Sequence, residues 1–204
     1  GERGAQLRGV RSRHPRVLVV EDDYVAAVAG APYVPLHGES ERWAVVRSLS
    51  KVVGPDLRIA LVAGDALTIS RLEGRQVLGP GWVSYLLQQT AAQLLASAST
   101  RKLLARTERT YAERRATLVD ALAERGIEAQ GDSGLGVWVP LAEEAATVQL
   151  LLERGWAVSP GERYRFRTPP GIRVTTTALK PEEARELARA LGELRDGAVS
   201  TYAG

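Results

Sequence analysis

The sequence of 204 residues contains no cysteine, no methionine, one phenylalanine and two histidines. Without cysteine, disulfides, thiolate-bound zinc and thiol catalysis are excluded. His14 and His37 are too few and too far apart in sequence for a metal centre, and none is assigned. No apolar run approaches the ~20 residues of a membrane-spanning helix. The polar, basic N-terminus lacks the apolar core of a signal peptide. A cytoplasmic protein with no membrane partner is expected. The missing methionine extends to position 1, where Gly1-Glu2-Arg3-Gly4 reads as the inside of a polar helix. The expectation is a stretch of a longer protein. Neither charge sign dominates, with 27 Lys+Arg against 24 Asp+Glu. The small basic excess is spread along the chain, so it points to no nucleic-acid surface.

What is present is an ordinary globular composition, 45% hydrophobic and 25% charged, with room for one large domain or two small ones. Arg16-Val17-Leu18-Val19-Val20 is a continuous β-branched run, the pattern of a strand buried on both faces of a parallel sheet. It ends in Glu21-Asp22-Asp23-Tyr24, acidic residues where α/β sheets place ligands. Gly30, Pro32, Pro35 and Gly38 mark residues 25–41 as a loop. A second buried strand, Trp43 to Val46, runs into Ser48-Leu49-Ser50-Lys51, and a third spans Leu57 to Ala63. Asp65 reads as the N-cap of a helix from about Ala66 to Gln76.

Two long helical patterns follow, roughly 83–97 and 100–125, the second stopped by Gly126. Beyond Ile127, short strand-like pieces (127–130, 135–140, 157–158, 172–176) alternate with helical ones (143–154, 181–195). The expected organisation is part of a large domain over 1–99, a bridging helix over 100–126, a small α+β domain over 127–196 and a tail over 197–204.

Lys51 is the conspicuous residue. A lysine in a hydroxyl-rich turn between two buried strands is costly unless its ammonium has a role, and burial favours the free amine that attacks a carbonyl. That is the chemistry of a Schiff-base lysine. Taken singly, the neighbouring residues have plain structural readings. Asp22 could cap a turn, Tyr24 could pack in a loop, and Ser48 and Ser50 could satisfy turn backbone. Arg58 and Arg173 could be ion-pair partners, and Lys51 itself could be a surface lysine. Glu21 and Asp23, facing away from Asp22 in an extended chain, read as structural, as do His14 and His37.

Together, however, Val20-Glu21-Asp22-Asp23-Tyr24, Ser48-Leu49-Ser50-Lys51 with Pro55-Asp56-Leu57-Arg58, and Gly171-Ile172-Arg173-Val174-Thr175 resemble the pyridoxal-phosphate (PLP) enzymes of aminotransferase fold type I, class I/II. More narrowly, they resemble the aminotransferase-like domain of MocR-type regulators in the GntR superfamily. The resemblance implies an α/β fold: the C-terminal part of the large domain, with a mostly parallel sheet, plus a small α+β domain. It implies Lys51 as the catalytic and cofactor-carrying lysine and Asp22 as the partner of the pyridine nitrogen. Tyr24 would donate to the ring's phenolic oxygen, while Ser48, Ser50 and Arg58 would hold the phosphate. Arg173 would clamp a ligand carboxylate with its planar fork. Trp82, Tyr85 and Gln88 are further candidates to line the site.

The same resemblance implies a homodimer, an amino-acid or amine effector, and DNA binding only through a winged-helix domain outside these residues. The family's phosphate-binding helix N-terminus and ring-stacking aromatic are not found here either. Gly134-Leu135-Gly136-Val137-Trp138 departs from the family's Gly-Leu-His, which leaves the ligand open. A stand-alone aminotransferase is the alternative. The missing proline before Tyr24 and the run Gly155-Trp156-Ala157-Val158-Ser159-Pro160-Gly161-Glu162 favour the regulator.

Overall fold

A computed structural model describes residues 2–38 and 40–201. The chain divides into two compact units, Gly1–Val28 with Pro32–Arg106, and Ala29–Ala31 with Thr107–Gly204.

In the first unit, α1 (Glu2–Ser12) precedes three strands, β1 (Val19–Asp22), β2 (Trp43–Ser48) and β3 (Ala60–Gly64). They form one sheet in the order β1-β2-β3. β1 runs parallel to β2, with Val20 opposite Ala44 and Asp22 opposite Val46. β3 runs antiparallel to β2, with Val62 opposite Val46. The long connection from β1 to β2 holds one 3-10 turn, Ala26–Val28, as its glycines and prolines require. Helices α2 (Ala66–Leu78) and α3 (Tyr85–Ala96) follow. Asp65 caps α2 by accepting from Thr68 N–H at 3.0 Å, and its other oxygen accepts from Trp43 N–H at 2.9 Å. Those hydrogen bonds pull its pKa down to about 2.

The sequence misleads on burial here. β1 starts at Val19, not Arg16, and alternates half-buried and exposed positions. Val17 and Val20 are both more than half exposed. Among the described residues β1 pairs only with β2. β-Branched residues report sheet propensity, not how many faces are covered. β3 is likewise shorter than expected and mostly exposed. Leu57, Arg58 and Ile59 are drawn instead into the turn that follows β2.

The second unit begins within α4 (Ala98–Ala123) and contains β4 (Gly136–Pro140), α5 (Glu144–Glu153), β5 (Ser159–Pro160), β6 (Gly171–Thr175) and α6 (Pro181–Thr201). β6 is the central strand of an antiparallel sheet ordered β4-β6-β5. Val137, Val139, Ile172 and Val174 line one face of that sheet. They pack with Leu118 and Leu122 of α4, Leu151 of α5, and Leu187 and Leu191 of α6. Period-2 alternation in β4 sends Gly136, Trp138 and Pro140 to the opposite face. Gly126, at φ +63°, follows α4 as its stop. Pro181 opens α6, where its missing N–H costs nothing. α6 continues to Thr201 with Gly197 inside it, so no tail starts at 197. Residues 202–204 of that expected tail lie outside the described residues.

The polar side of the second unit is equally specified. Arg115 of α4 is buried, and its guanidinium donates to the carbonyls of Gly131 at 2.6 Å, Gly134 at 2.8 Å and Asp132 at 3.4 Å. Burial pushes its pKa down, and Asp132 opposes that shift. On the outer face of the sheet, the Trp138 indole lies against the backbones of Gly161 and Gly171. A Cβ at Gly171 would stand 2.6 Å from the indole and 2.8 Å from the Val139 carbonyl oxygen. Gly171→Ala is therefore expected to destabilise the protein by about 1–3 kcal/mol, as overpacking does. Urea unfolding monitored by Trp138 fluorescence checks this, and a midpoint equal to the parent's would show that the strand has room to shift.

Candidate functional site

Parallel pairing of β1 and β2 brings their carboxyl ends to the same side of the sheet. Asp22 ends one strand and Ser48 ends the other. Asp22 is exposed, and among the described residues no hydrogen bond or ion pair engages its carboxylate. Asp23 N–H donates to Val46 O at 2.8 Å, which carries the pairing one residue further. Tyr24 follows, nearly half exposed.

The turn after β2 is anchored from inside. Leu49 and Ile59 are buried together with Ala91 of α3, and Val53, Leu87 and Leu95 pack on them. Leu49 N–H donates to Ile59 O at 3.0 Å, and Leu49 O accepts from Val52 and Val53. Gly54, at φ +137°, supplies backbone geometry that side chains resist. With Leu49 turned inward, Lys51 projects outward and is exposed. The expectation of a buried lysine is thereby corrected, because the apolar neighbour takes the interior position.

Ser48, Ser50 and Arg58 meet on the outside of this turn. Ser50 N–H donates to Ser48 Oγ at 3.3 Å, and Ser50 Oγ donates to Leu57 O at 3.2 Å. The Arg58 guanidinium donates to Ser50 Oγ at 3.0 Å and to Pro55 O at 3.5 Å. Two hydroxyls and a guanidinium thus cluster beside an exposed lysine, a donor set suited to a phosphate.

A second cluster lies on β1. Glu21 accepts from Tyr33 OH at 2.8 Å, from Leu36 N–H at 3.0 Å and from His37 N–H at 2.8 Å, and its Oε1 lies 2.6 Å from His37 Nδ1. The His37 ring stacks on Trp43 at 4.2 Å. Arg47 pairs with Asp23 at 2.9 Å and sits over the Tyr33 ring at 5.0 Å. Burial pushes the Glu21 pKa up, but the hydrogen bonds from Leu36, Tyr33 and His37 outweigh it and leave the pKa lowered. Burial and the Glu21 carboxylate raise Tyr33 to about 12. The reading of Glu21 and His37 as structural thus has its content: they pin residues 33–37 against β1. A hollow of about 540 Å³ borders Glu21, Asp22, Asp23 and Tyr33. Lys51, Ser48, Ser50 and Arg58 do not line it.

Trp82 and Tyr85, at the start of α3, are largely exposed. Gln88 donates to Val83 O at 3.0 Å, within its own turn. Among the described residues, none of the three bonds to Lys51, Ser50 or Arg58.

Arg173 lies in the second unit, on β6, with Trp138 opposite on β4 and Ser159 opposite on β5. These three side chains share the sheet face turned away from the core. The Arg173 guanidinium lies 5.4 Å from the Tyr164 ring centroid. A hydrogen bond with Ser159 lowers the Tyr164 pKa, burial opposes this, and Arg173 adds to the lowering. Sequence reasoning missed Tyr164 and also Glu144, a nearly buried carboxylate in the first turn of α5. Glu144 accepts from Glu162 N–H at 2.8 Å, Gly171 N–H at 3.1 Å and Arg165 Nε at 3.3 Å. Burial pushes its pKa up, and those donors more than reverse the shift. In sequence, an acid opening a helix looks the same as any other such acid.

Comparison with known proteins gives this geometry a context. Residues 5–191 match the family described as aminotransferase class I and II. The chain is 36% identical over 189 residues to the vitamin B6 salvage pathway transcriptional repressor PtsJ of Salmonella typhimurium, a match covering 91% of this chain and 44% of the relative. Among solved structures, a kynurenine aminotransferase from Pyrococcus horikoshii, in complex with PMP, aligns with a TM-score of 0.80 at 20% identity, covering 95% of this chain and 51% of that one. LysN, an α-aminoadipate aminotransferase from Thermus thermophilus, aligns with a TM-score of 0.77 at 22% identity, covering 97% and 55%. The fold is that of these aminotransferases, and the chain spans about half the length of the relatives it matches.

The Glu21 cluster has a pH signature. Its folded pKa is depressed, so its stabilisation is complete above the ordinary carboxylate value of 4.5 and is lost as the pH falls through the folded value. Glu21→Gln is expected to cost about 1–3 kcal/mol at neutral pH. Thermal melting near neutrality and again in strong acid checks this: the gap between parent and variant should shrink on acidification. A pH-independent gap would mean that the carboxylate's charge is not what holds the loop.

Proposed function

The chain belongs to the class I and II aminotransferase family, and from that premise we propose that it is the PLP-binding, ligand-sensing domain of a MocR-type transcriptional regulator. The carrying observation is the Ser48–Ser50–Arg58 cluster beside an exposed Lys51, on the same side of the sheet as an Asp22 carboxylate without a side-chain partner among the described residues. This donor set fits the cofactor group by group. Arg58 and the two serine hydroxyls hold the phosphate. Lys51 would supply the amine for the cofactor's aldehyde, and Asp22 would hold the proton of the ring nitrogen. Tyr24 donates to the phenolic oxygen.

When bound, the cofactor supplies a protonated ring that withdraws electrons from the carbon of an attached amino compound. The chain's own residues do the rest. Lys51 would supply the amine that an incoming amino ligand displaces. Asp22 would pair with the ring nitrogen. Arg173 binds a ligand carboxylate with its planar fork.

The regulator reading is supported by identity to a transcriptional repressor over 91% of this chain. On this reading a ligand acts through its differential affinity for two conformations of the regulator. An amino acid or amine is the ligand class. The relative's link to vitamin B6 salvage makes the cofactor itself a second signal to test. The regulator works as a homodimer in the cytoplasm, and its DNA contacts come from a domain outside these residues. Among the described residues, no helix is long and apolar enough to cross a membrane.

Lys51→Ala should abolish the visible absorbance that the protein gains on mixing with PLP. An unchanged spectrum in that variant would sink the proposal. Arg58→Ala should keep the absorbance band but weaken cofactor affinity about tenfold to a hundredfold. Incubation with amino acids and a keto acid separates sensor from enzyme: steady accumulation of a new keto acid would establish a stand-alone aminotransferase instead.

A further inference from the structure

We propose that Glu144 is the positioning residue for Arg173, setting the guanidinium where it can receive a carboxylate. The inference rests on the reading of Arg173 as the carboxylate-binding group. Glu144 sits in the first turn of α5, far along the chain from β6, and its side chain is nearly buried. Its oxygens take three donors from the other segment. Oε1 accepts from Glu162 N–H at 2.8 Å; Oε2 accepts from Gly171 N–H at 3.1 Å and from Arg165 Nε at 3.3 Å. Two of these donors bracket the loop between β5 and β6. One carboxylate therefore closes that loop at its base.

The bracketed residues stand two positions from the groups that would meet a ligand. Gly171 precedes Arg173 on β6 by two residues, so both occupy the same face. Glu162 precedes Tyr164, whose ring lies 5.4 Å from the Arg173 guanidinium. Little slack remains to absorb an error. A Cβ at Gly171 would press on Trp138, and one at Gly136 would stand 3.4 Å from Arg173 Nε. If Glu144 lets go of Gly171 N–H and Glu162 N–H, the start of β6 loses its only side-chain anchor among the described residues, and the loop that holds Tyr164 beside Arg173 loosens at its base.

Glutamine is an informative replacement. It keeps the shape but offers one carbonyl oxygen and one NH₂ where two backbone N–H groups point in, so one site becomes donor against donor. Aspartate keeps both acceptors on a shorter stem.

Isothermal titration of the purified protein provides the test. The standard L-amino acids are titrated first, and the tightest binder is then compared with the amine that lacks its carboxylate. The ratio of the two affinities isolates carboxylate recognition. Arg173→Lys should collapse this ratio. Glu144→Gln should lower it about tenfold, leave the amine's affinity within a factor of about two, and keep cofactor absorbance. Glu144→Asp should recover part of the ratio, and it supplies the measurement if the glutamine variant does not fold. A collapsed ratio in Arg173→Lys with a parental ratio in both Glu144 variants would overturn the positioning role while leaving the Arg173 reading intact. Equal losses for amino acid and amine in the Glu144 variants would also overturn it, since that marks general damage. A parental ratio in Arg173→Lys would remove the Arg173 reading and the inference with it.

Discussion

The register of β1 on β2 governs everything proposed for the first unit. A strand delivers chemistry at its end, and two neighbouring strands deliver it to one edge of the sheet only when they run the same way. β1 and β2 are parallel, with Asp22 opposite Val46 and β2 continuing two residues further to Ser48. A slip of one residue would turn Asp22 to the other face and put Glu21 or Asp23 in its place. Glu21 guards against that slip. By holding Tyr33, Leu36 and His37, it fixes which face of β1 the connecting loop covers.

The turn carrying Lys51 solves a different problem. Its polar residues must stand in solvent yet keep a fixed arrangement. Leu49 and Ile59 accomplish this from below, buried against α3 and tied to each other through the backbone. Exposure of Lys51 and order of its surroundings thus come from the same anchor. In the second unit, buried charge does comparable work. Arg115 gathers three carbonyls, while Glu144 gathers two backbone amides and a guanidinium. Each ion is desolvated, and each is offset by several well-directed partners.

The sequence was legible where one residue acts through its own chemistry or spacing. Asp65 as a cap and Gly126 as a stop were both readable. It was less legible where the answer depends on what lies across a surface. Val17, just before β1, and Val20, within it, look like core residues but lie exposed. Lys51 looked buried because its flanks are apolar, yet Leu49 takes the interior place. Glu144 was hidden because two of its partners are backbone amides distant in the chain, which leave no trace in a sequence. Tyr164 was hidden because the guanidinium beside it, Arg173, comes from β6.

The loop between β5 and β6 has an evolutionary consequence. It is buckled at its base by a single carboxylate, which accepts from the backbone N–H groups of Glu162 and Gly171. Its middle, around Phe166, stands in solvent. Such a loop separates inheritance from innovation. Mutation can rewrite the residues around Phe166, and with them what the protein greets at that surface, while Tyr164 and Arg165 stay with the frame beside Arg173. Related chains are then expected to differ most between these two fixed points and least at the acid that joins them.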